Sequence, residues 1–245
     1  MDIEYIDPRE YNKCKSDPVY FIFKYIYTRN LDTGMQLLTR REYLVDYINH
    51  IHGKHTSMTI KARQLGFTTV SLAYVLWYSL FHKGKKVFIG AWNHEASREQ
   101  LKIITEMIRW LPELMQPTLV QNNMSLIKFD NGTIIKSVPV NCCATRGYSI
   151  DLVYLDEVAW GNGHNLDSFI ANSYPIISST KGKIIITATN NPNNKEFNII
   201  KDDLIDKGYV KVYPWYVDNM RDISFIINQI RLLGREKVNI EYILE

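Results

Sequence analysis

The chain has 245 residues, of which 46% are hydrophobic and 22% are charged, a balance that is ordinary for a soluble globular protein. Its formal net charge of +3 does not indicate a nucleic-acid binder, so any DNA contact would need a local patch of Lys and Arg. The three cysteines match no zinc site, and the adjacent Cys142 and Cys143 are poorly placed for a disulfide. The N-terminus lacks the features of a signal peptide, and no apolar run reaches the length of a membrane span, which predicts a cytosolic protein without a membrane partner.

The hydrophobic pattern predicts helices that alternate with strands, after a polar and irregular arm at residues 1–16. Helices are predicted at residues 18–26, 40–52, 70–80, 95–114, 164–179, 196–207, 223–233 and 237–244. Strands are predicted at residues 58–60, 86–91, 150–157, 183–189 and 209–215, with a β-hairpin at residues 126–136. The alternation indicates an α/β fold with a mostly parallel central sheet flanked by helices, and ligands would bind at the carboxyl ends of its strands.

The segment that starts at the strand 58–60 is the most informative part of the sequence. The strand is followed by a loop with one glycine, and the loop by the helix predicted at residues 70–80. A strand, a tight loop and a helix in this order form a phosphate cradle, because the loop N–H groups and the helix N-terminus present partial positive charge to an anion.

The loop is a variant of the usual phosphate-binding motif, which consists of Gly, four residues, Gly, Lys and then Ser or Thr. Gly66, Thr68 and Thr69 match the motif, but Phe67 stands in the lysine position and Lys61 in that of the first glycine. Because such a loop brings its two ends together, a lysine at its start can reach the β- and γ-phosphates from the other side. The alternative is an ordinary strand-to-helix turn in which Thr68 caps the helix.

The strand that ends at Leu155 runs directly into Asp156 and Glu157. A carboxylate in this place suits Mg²⁺, so we expect Asp156 to hold the ion through water, with Thr68 as a further ligand. Glu157 is placed to activate a water molecule for attack on the γ-phosphate. The alternative for the two acids is a solvated turn or an N-cap of the following helix.

Three polar residues, Thr187, Thr189 and Asn190, end the next predicted strand. Hydroxyl and amide groups there would sense the γ-phosphate, although Asn-Asn-Pro is also an ordinary turn signal. Two arginines are candidates for phosphate contact. Arg63 lies in the loop itself, and Arg146 precedes the acidic strand, where an arginine finger could offset transition-state charge; a loop arginine that is merely solvated is the alternative.

Together these residues resemble the ATPase domain of the large terminase subunit, the DNA-packaging motor of tailed bacteriophages. Arg63–Thr69 is similar to that family's variant phosphate loop, and Arg146-Gly147 with Asp156-Glu157 to its acidic segment. Thr187–Asn190 is similar to its coupling motif, and Asp17–Phe21 to its N-terminal segment. The resemblance covers nearly the whole chain, with the motifs in the expected order.

The resemblance implies a P-loop NTPase of the additional-strand (ASCE) type that hydrolyses ATP with Mg²⁺ and moves double-stranded viral DNA into a procapsid. It implies a portal ring and a small terminase subunit as partners, in the host cytoplasm and transiently at the portal. The chain is expected to form a homo-oligomeric ring when docked, in which Arg146 reaches a neighbour's site, and to be a monomer in isolation. The expected phosphate-binding residues are Lys61, Arg63, Gln64, Gly66, Phe67, Thr68 and Thr69.

Two features depart from the family pattern. Arg41 and Tyr43 match a segment that recognises adenine, but Leu44 stands where the family often has a glutamine. The second departure is length, because the family usually carries a C-terminal nuclease domain, and we expect no nuclease activity in this chain. The predicted parts are an N-terminal arm and helical lead-in at 1–55, an ATPase core at 56–220 and a C-terminal helical segment at 221–245.

Two rival functions remain open from the sequence. One is a helicase or other DNA-dependent ATPase of the same fold, although a helicase would be expected to carry a second motor domain. The other is a nucleotide-binding scaffold that does not hydrolyse ATP, which Phe67 in the lysine position would favour and Glu157 argues against.

Overall fold

The computed structural model of the chain describes residues 7–30, 32–141, 144–161 and 166–244. Cys142 and Cys143, whose pairing the sequence disfavours, lie outside these residues, and so do the first six residues of the predicted N-terminal arm. None of the helices in the described ranges is long and apolar enough to cross a membrane.

The described residues form the following helices and strands. The helices are α1 (Pro8–Ser16), α2 (Pro18–Tyr25), α3 (Glu42–Gly53), α4 (Phe67–Phe81), α5 (His94–Arg109), α6 (Leu166–Ser179), α7 (Lys195–Asp206), α8 (Ile223–Leu233) and α9 (Arg235–Val238). The strands are β1 (Tyr27–Asn30), β2 (Gly34–Leu37), β3 (Thr56–Lys61), β4 (Lys86–Ala91), β5 (Leu119–Asn123), β6 (Leu126–Phe129), β7 (Ile134–Ser137), β8 (Leu152–Asp156), β9 (Lys183–Ala188) and β10 (Val210–Tyr213). A π-helical turn, Asn239–Ile243, follows α9.

Eight of these strands form one sheet in the order β10-β3-β9-β8-β4-β7-β6-β5. Strand β6 pairs antiparallel with β5 and β7, and the other neighbours pair in parallel. The predicted α/β fold with a mostly parallel sheet is therefore confirmed. The register of β8 and β9 places Asp156 beside Thr187, so the predicted acidic and hydroxyl groups share one edge of the sheet.

Helices cover both faces of the sheet, which explains why its central strands are apolar along their whole length. Along β8, Leu152 and Tyr154 belong to the core beneath α3, α4 and α5. Val153 and Leu155 point to the opposite face, where they join the core beneath α6 and α7. Strand side chains alternate between faces, so this one apolar strand contributes to two cores and holds its polar carboxyl end in a fixed place.

The sequence assigned some local structure wrongly. Residues 8–16 of the predicted irregular arm form α1, because Asp7 accepts a hydrogen bond from the Arg9 N–H and Pro8 occupies the first turn. Strands β1 and β2 form an antiparallel hairpin where an irregular stretch was expected, and the edge strand β5 was not predicted. Helix α5 ends at Arg109, before Pro112, so the predicted end at residue 114 is wrong.

Candidate active site

The loop between β3 and α4 presents a row of free backbone donors. Gly66 adopts a left-handed conformation with a φ of 82° at the start of α4, and Gln64 is also left-handed, with a φ of 59°. The N–H groups of residues 64–69 donate no hydrogen bond to any residue that the structure describes. Because these groups lie at the N-terminus of a long buried helix, the loop can bind an anion.

Lys61, the last residue of β3, is 6% exposed and lies at the entrance of this loop. Its ammonium group donates to Oε1 of Glu157 and lies 3.5 Å from Oγ1 of Thr189. The lysine that the sequence placed at the start of the motif is thus beside the acidic end of β8.

Phe67 contributes to the core rather than to the polar site. Its side chain is 1% exposed and contacts the rings of Tyr43, Tyr47 and Tyr213. Phe67 contributes only its backbone N–H group to the loop, as one of the free donors. Leu44 is also buried, with a methyl group 3.9 Å from the place of a Cβ on Gly66, so the position of the expected glutamine is apolar here.

Three side chains fix the carboxylate of Asp156, which is 4% exposed. Oδ2 accepts hydrogen bonds from Oγ1 of Thr68, at 2.9 Å, and from Nε2 of Gln100, at 2.8 Å. Oδ1 accepts one from Oγ1 of Thr187 at 2.7 Å. Burial raises the pKa of Asp156 above its usual 3.8, although the charge of Lys61 acts in the opposite direction.

Glu157 has a left-handed backbone, with a φ of 51°. Its Oε2 accepts from the N–H of Thr189 at 2.9 Å, and its Oε1 from the Thr189 hydroxyl at 3.1 Å as well as from Lys61. A left-handed glutamate costs of order 1 kcal/mol or more, and strain of this kind concentrates at functional sites. The backbone turn and Thr189 together direct the Glu157 carboxylate toward the end of β9 and Lys61.

The donor atoms around Asp156 fit a hard divalent cation. The hydroxyl of Thr68 and the carboxylate provide oxygen ligands, and Oε1 of Gln100 is a buried oxygen with no hydrogen-bond partner among the described residues. The described ranges contain no group of three or more His, Cys, Asp and Glu that could hold a metal alone. A cation here would therefore take further oxygen ligands from water and a phosphate, which is the usual coordination of Mg²⁺.

The structure brings some predicted residues together and separates others. Thr187 and Thr189 contact the two acids, but the amide oxygen of Asn190 instead accepts from Lys201 of α7 at 3.2 Å. Arg146 is exposed and has no hydrogen-bond or ion-pair partner within the described ranges. Thr69 follows Thr68 in the first turn of α4.

The three remaining predicted residues make contacts away from the two acids. Arg63 donates to Oε1 of the buried Glu241 at 3.2 Å. Arg41 pairs with Asp218 at 2.7 Å. The hydroxyl of Tyr43 donates to the carbonyl oxygen of Leu65 at 3.0 Å, and burial raises the pKa of Tyr43 to about 12, so this donor stays protonated at neutral pH.

Sequence reasoning missed Gln100, Glu241 and Arg221. Gln100 is a polar residue on the buried face of α5, between Ser97 and Ile104. A polar side chain on an otherwise apolar helix face could have marked it as a candidate site residue. Arg221 donates to two carbonyl oxygens of the loop, and Glu241 pairs with Arg63. No local signal marks these last two residues, because their contacts join positions more than 150 apart in the chain.

A family model described as "Terminase large subunit, T4likevirus-type, N-terminal" matches residues 58–241 of the chain. The matched range contains the loop, both acids, and Thr187 and Thr189 at the end of β9. It also extends to Glu241.

The fold is similar to that of three solved structures. The large terminase of bacteriophage HK97 has a TM-score of 0.72 at 17% identity, over 94% of this chain and 54% of that one. The ATPase domain of the large terminase of Thermus phage P74-26 has a TM-score of 0.66 at 15% identity, over 85% of this chain and 94% of that one. The large terminase of another thermophilic bacteriophage, solved in complex with ADP, has a TM-score of 0.65 at 12% identity, over 84% of this chain and 53% of that one. The chain thus spans about half the length of the HK97 protein and of the terminase solved with ADP.

Proposed function

The chain belongs to the T4-like-virus type of terminase large subunits, and on this premise we propose that it is an ATP-hydrolysing motor domain that moves double-stranded viral DNA into a procapsid. The observation that carries the proposal is the row of free N–H groups at residues 64–69, beside the buried Lys61 and Asp156. Donors at a helix N-terminus, a lysine and a carboxylate with oxygen ligands are the parts that phosphoryl transfer requires.

The N–H groups of Gln64 through Thr69 would donate to the phosphates of ATP. The hydroxyl of Thr69 lies in the first turn of α4, close to these groups. The ammonium of Lys61 would bind the β- and γ-phosphate oxygens, in place of the motif lysine that Phe67 replaces. Arg63 is the second cationic side chain available to the phosphates. Its reach toward them requires its ion pair with Glu241 to open, because the guanidinium now donates to that carboxylate.

Thr68 and Asp156 are the residues that would hold Mg²⁺, which neutralises phosphate charge and templates the reacting groups when it is bound. Gln100 supports this role of Asp156, since its amide N–H fixes one carboxylate oxygen. The three hydrogen bonds to Asp156 orient its carboxylate, and they leave one lone pair of Oδ1 for water, since Oδ2 already accepts two of the bonds.

Hydrolysis would use Glu157 as the base. Its carboxylate takes a proton from water as the water oxygen bonds to the γ-phosphorus, and the bond from that phosphorus to the bridging oxygen of ADP breaks. Thr189 orients Glu157 through two hydrogen bonds. Lys61 can exchange between Glu157 and a phosphate oxygen, so binding of ATP would free the glutamate for this work.

The end of β9 would couple hydrolysis to movement. Thr187 contacts Asp156 and Thr189 contacts Glu157, so both residues would respond to a change at the γ-phosphate. Asn190 would carry the change outward, because its side chain contacts Lys201 on α7.

Arg146 would complete the site of a neighbouring subunit in a ring. Its exposure and its lack of a partner within the described ranges support a role outside its own subunit. Such a ring would form on the portal of the procapsid, transiently and in the host cytoplasm, with the small terminase subunit as a further partner. In isolation we expect a monomer.

The remaining assignments concern the adenine side and the domain limits. Arg41 and Tyr43 would border the adenine, although both side chains are tied to neighbouring groups and Leu44 offers no polar contact. We keep the three-part division into a lead-in at 1–55, an ATPase core at 56–220 and a helical segment at 221–245.

The test is phosphate release by the purified chain in Mg²⁺ and ATP, with and without linear duplex DNA. We expect hydrolysis that chelation of Mg²⁺ abolishes. Binding of ATP without hydrolysis would point to a requirement for the arginine of a neighbour, which mixing with portal rings would reveal. Failure to bind ATP at all would overturn the proposal in favour of a scaffold.

A further inference from the structure

The guanidinium group of Arg221 holds two successive carbonyl groups of the phosphate loop. Its two terminal nitrogens donate to the carbonyl oxygen of Arg63 at 3.0 Å and to that of Gln64 at 2.6 Å. The Arg221 side chain is only 10% exposed, although the loop residues that it contacts, Arg63 and Gln64, are exposed. A planar guanidinium suits this task, since its donors have a fixed fork geometry that a lysine lacks.

The loop needs such support because of its sequence. The usual motif has glycines at both ends, whereas this loop has Gly66 alone. Gln64 nevertheless adopts a left-handed backbone, which brings a Cβ too close to the following carbonyl and is disfavoured for any residue other than glycine. An outside contact must stabilise that conformation, and Arg221 bonds directly to the Gln64 carbonyl oxygen.

Holding the carbonyls also fixes the direction of the N–H groups. In a planar trans peptide the C=O and N–H bonds point in opposite directions. The carbonyls of Arg63 and Gln64 face Arg221, so the N–H groups of Gln64 and Leu65 face the other way. These are the first two of the free donors at residues 64–69.

Arg221 is itself held in place by its surroundings. Its guanidinium carbon lies 4.5 Å from the ring centre of Phe225, and its Nε is 3.8 Å from Oδ2 of Asp218. Asp218 is buried and also pairs with Arg41. The arginine is therefore a fixed brace that reaches the loop from the segment before α8.

We propose that Arg221 is a positioning residue that shapes the phosphate loop for the triphosphate of ATP, from the carbonyl side of the loop. This inference rests on the proposed function. It does not place Arg221 in contact with the nucleotide, since its donors are occupied by carbonyl oxygens on the outer side of the loop.

The test compares the affinity for Mg·ATP of Arg221→Ala and Arg221→Lys with that of Arg231→Ala, which removes an exposed arginine of α8 and serves as the charge-matched control. We expect about a tenfold loss for Arg221→Ala, a partial loss for Arg221→Lys and no more than about a twofold change for the control. Wild-type affinity in Arg221→Ala would overturn the proposal.

A second comparison separates loop positioning from a general loss of stability. In a Gln64→Gly background the left-handed conformation is no longer disfavoured, so the loss caused by Arg221→Ala should shrink. An equal loss in both backgrounds would contradict positioning through Gln64.

Trypsin cleavage after Arg63 reports on the loop without nucleotide. We expect Arg221→Ala to be cleaved faster than the wild type, and Arg231→Ala at the wild-type rate. If the chain fails to bind ATP but Arg221→Ala is still cleaved faster than the wild type, then Arg221 positions the loop and the proposed function is wrong. If Arg221→Ala is cleaved at the wild-type rate, then Arg221 does not position the loop.

Discussion

The ammonium of Lys61 and the carboxylate of Glu157 form an ion pair across the sheet, although strand β9 lies between the strands that carry them. Thr189, which follows β9, contacts both groups and completes a three-strand polar cluster. The two residues to which we assign phosphate binding and water activation are thus each other's partner, so each should depend on the other for stability as well as for activity.

Removing one member of this pair should destabilise the protein. Lys61→Met leaves a partly buried carboxylate without its cation, and we expect a loss of about 2 kcal/mol in the free energy of unfolding. The double variant Lys61→Met/Glu157→Gln should recover part of this loss, which urea denaturation would measure. Lys102→Met breaks an exposed pair with Glu99 and should cost no more than about 0.5 kcal/mol. A strictly additive double variant would contradict direct coupling.

Asp156 should limit the stability of the protein without Mg²⁺. Its pKa is raised by burial, so the ionised form is disfavoured in the folded state; the resulting cost is absent below pH 3.8 and complete above the folded-state pKa. We expect Asp156→Asn to melt at or above the wild-type temperature at pH 7, and the difference to disappear toward about pH 3.5. The variant should also lose hydrolysis. A melting temperature well below that of the wild type at pH 7 would show that the carboxylate stabilises the fold.

Gln100 should affect the requirement for Mg²⁺ more than the fold. Gln100→Leu keeps the buried volume but removes the donor to Asp156, and groups that support metal ligands typically contribute about tenfold or more to metal affinity. We expect the half-saturating Mg²⁺ concentration for hydrolysis to rise about tenfold, with Gln121→Leu on the exposed edge strand as the control. An unchanged Mg²⁺ dependence would exclude this role.

The N-terminal helices should separate at acid pH. Hydrogen bonds from Tyr25, Lys24 and Tyr20 lower the pKa of Glu10 to about 2, from a usual 4.5. The stability that Glu10 contributes is therefore complete above pH 4.5 and is lost as the pH falls toward 2. Glu10→Gln should lower the melting temperature at pH 7 and flatten its decline between pH 4.5 and 2, unlike Glu113→Gln, which changes an exposed residue. Parallel pH profiles for the wild type and Glu10→Gln would refute the assignment.

The sequence predicted the parts of the site that depend on local pattern. The strand before Gly66, the helix after it and the apolar strand that leads to Asp156 are each contiguous segments, and the structure confirms them. Parallel strands end at one edge of a sheet, so these segments alone imply that the loop and the acids meet there.

The contacts that tune the site could not be predicted in this way. The site is contacted by Gln100 from α5, by Arg221 from the segment before α8 and by Glu241 from the turn after α9. Such contacts depend on tertiary packing rather than on periodicity. Strand β5 was not predicted because it is polar and exposed at the edge of the sheet, where the alternation of apolar and polar residues is weakest.

The most direct test of the account is Glu157→Gln, assayed for Mg·ATP binding and for phosphate release, beside Lys61→Ala and the exposed control Lys237→Ala. We predict that Glu157→Gln binds ATP within about threefold of the wild type and releases phosphate at least about a hundredfold more slowly, because it retains the cradle and loses the base. Lys61→Ala should lose binding as well, and Lys237→Ala neither. Wild-type phosphate release by Glu157→Gln would contradict the assignment of the catalytic base and, with it, the proposed mechanism.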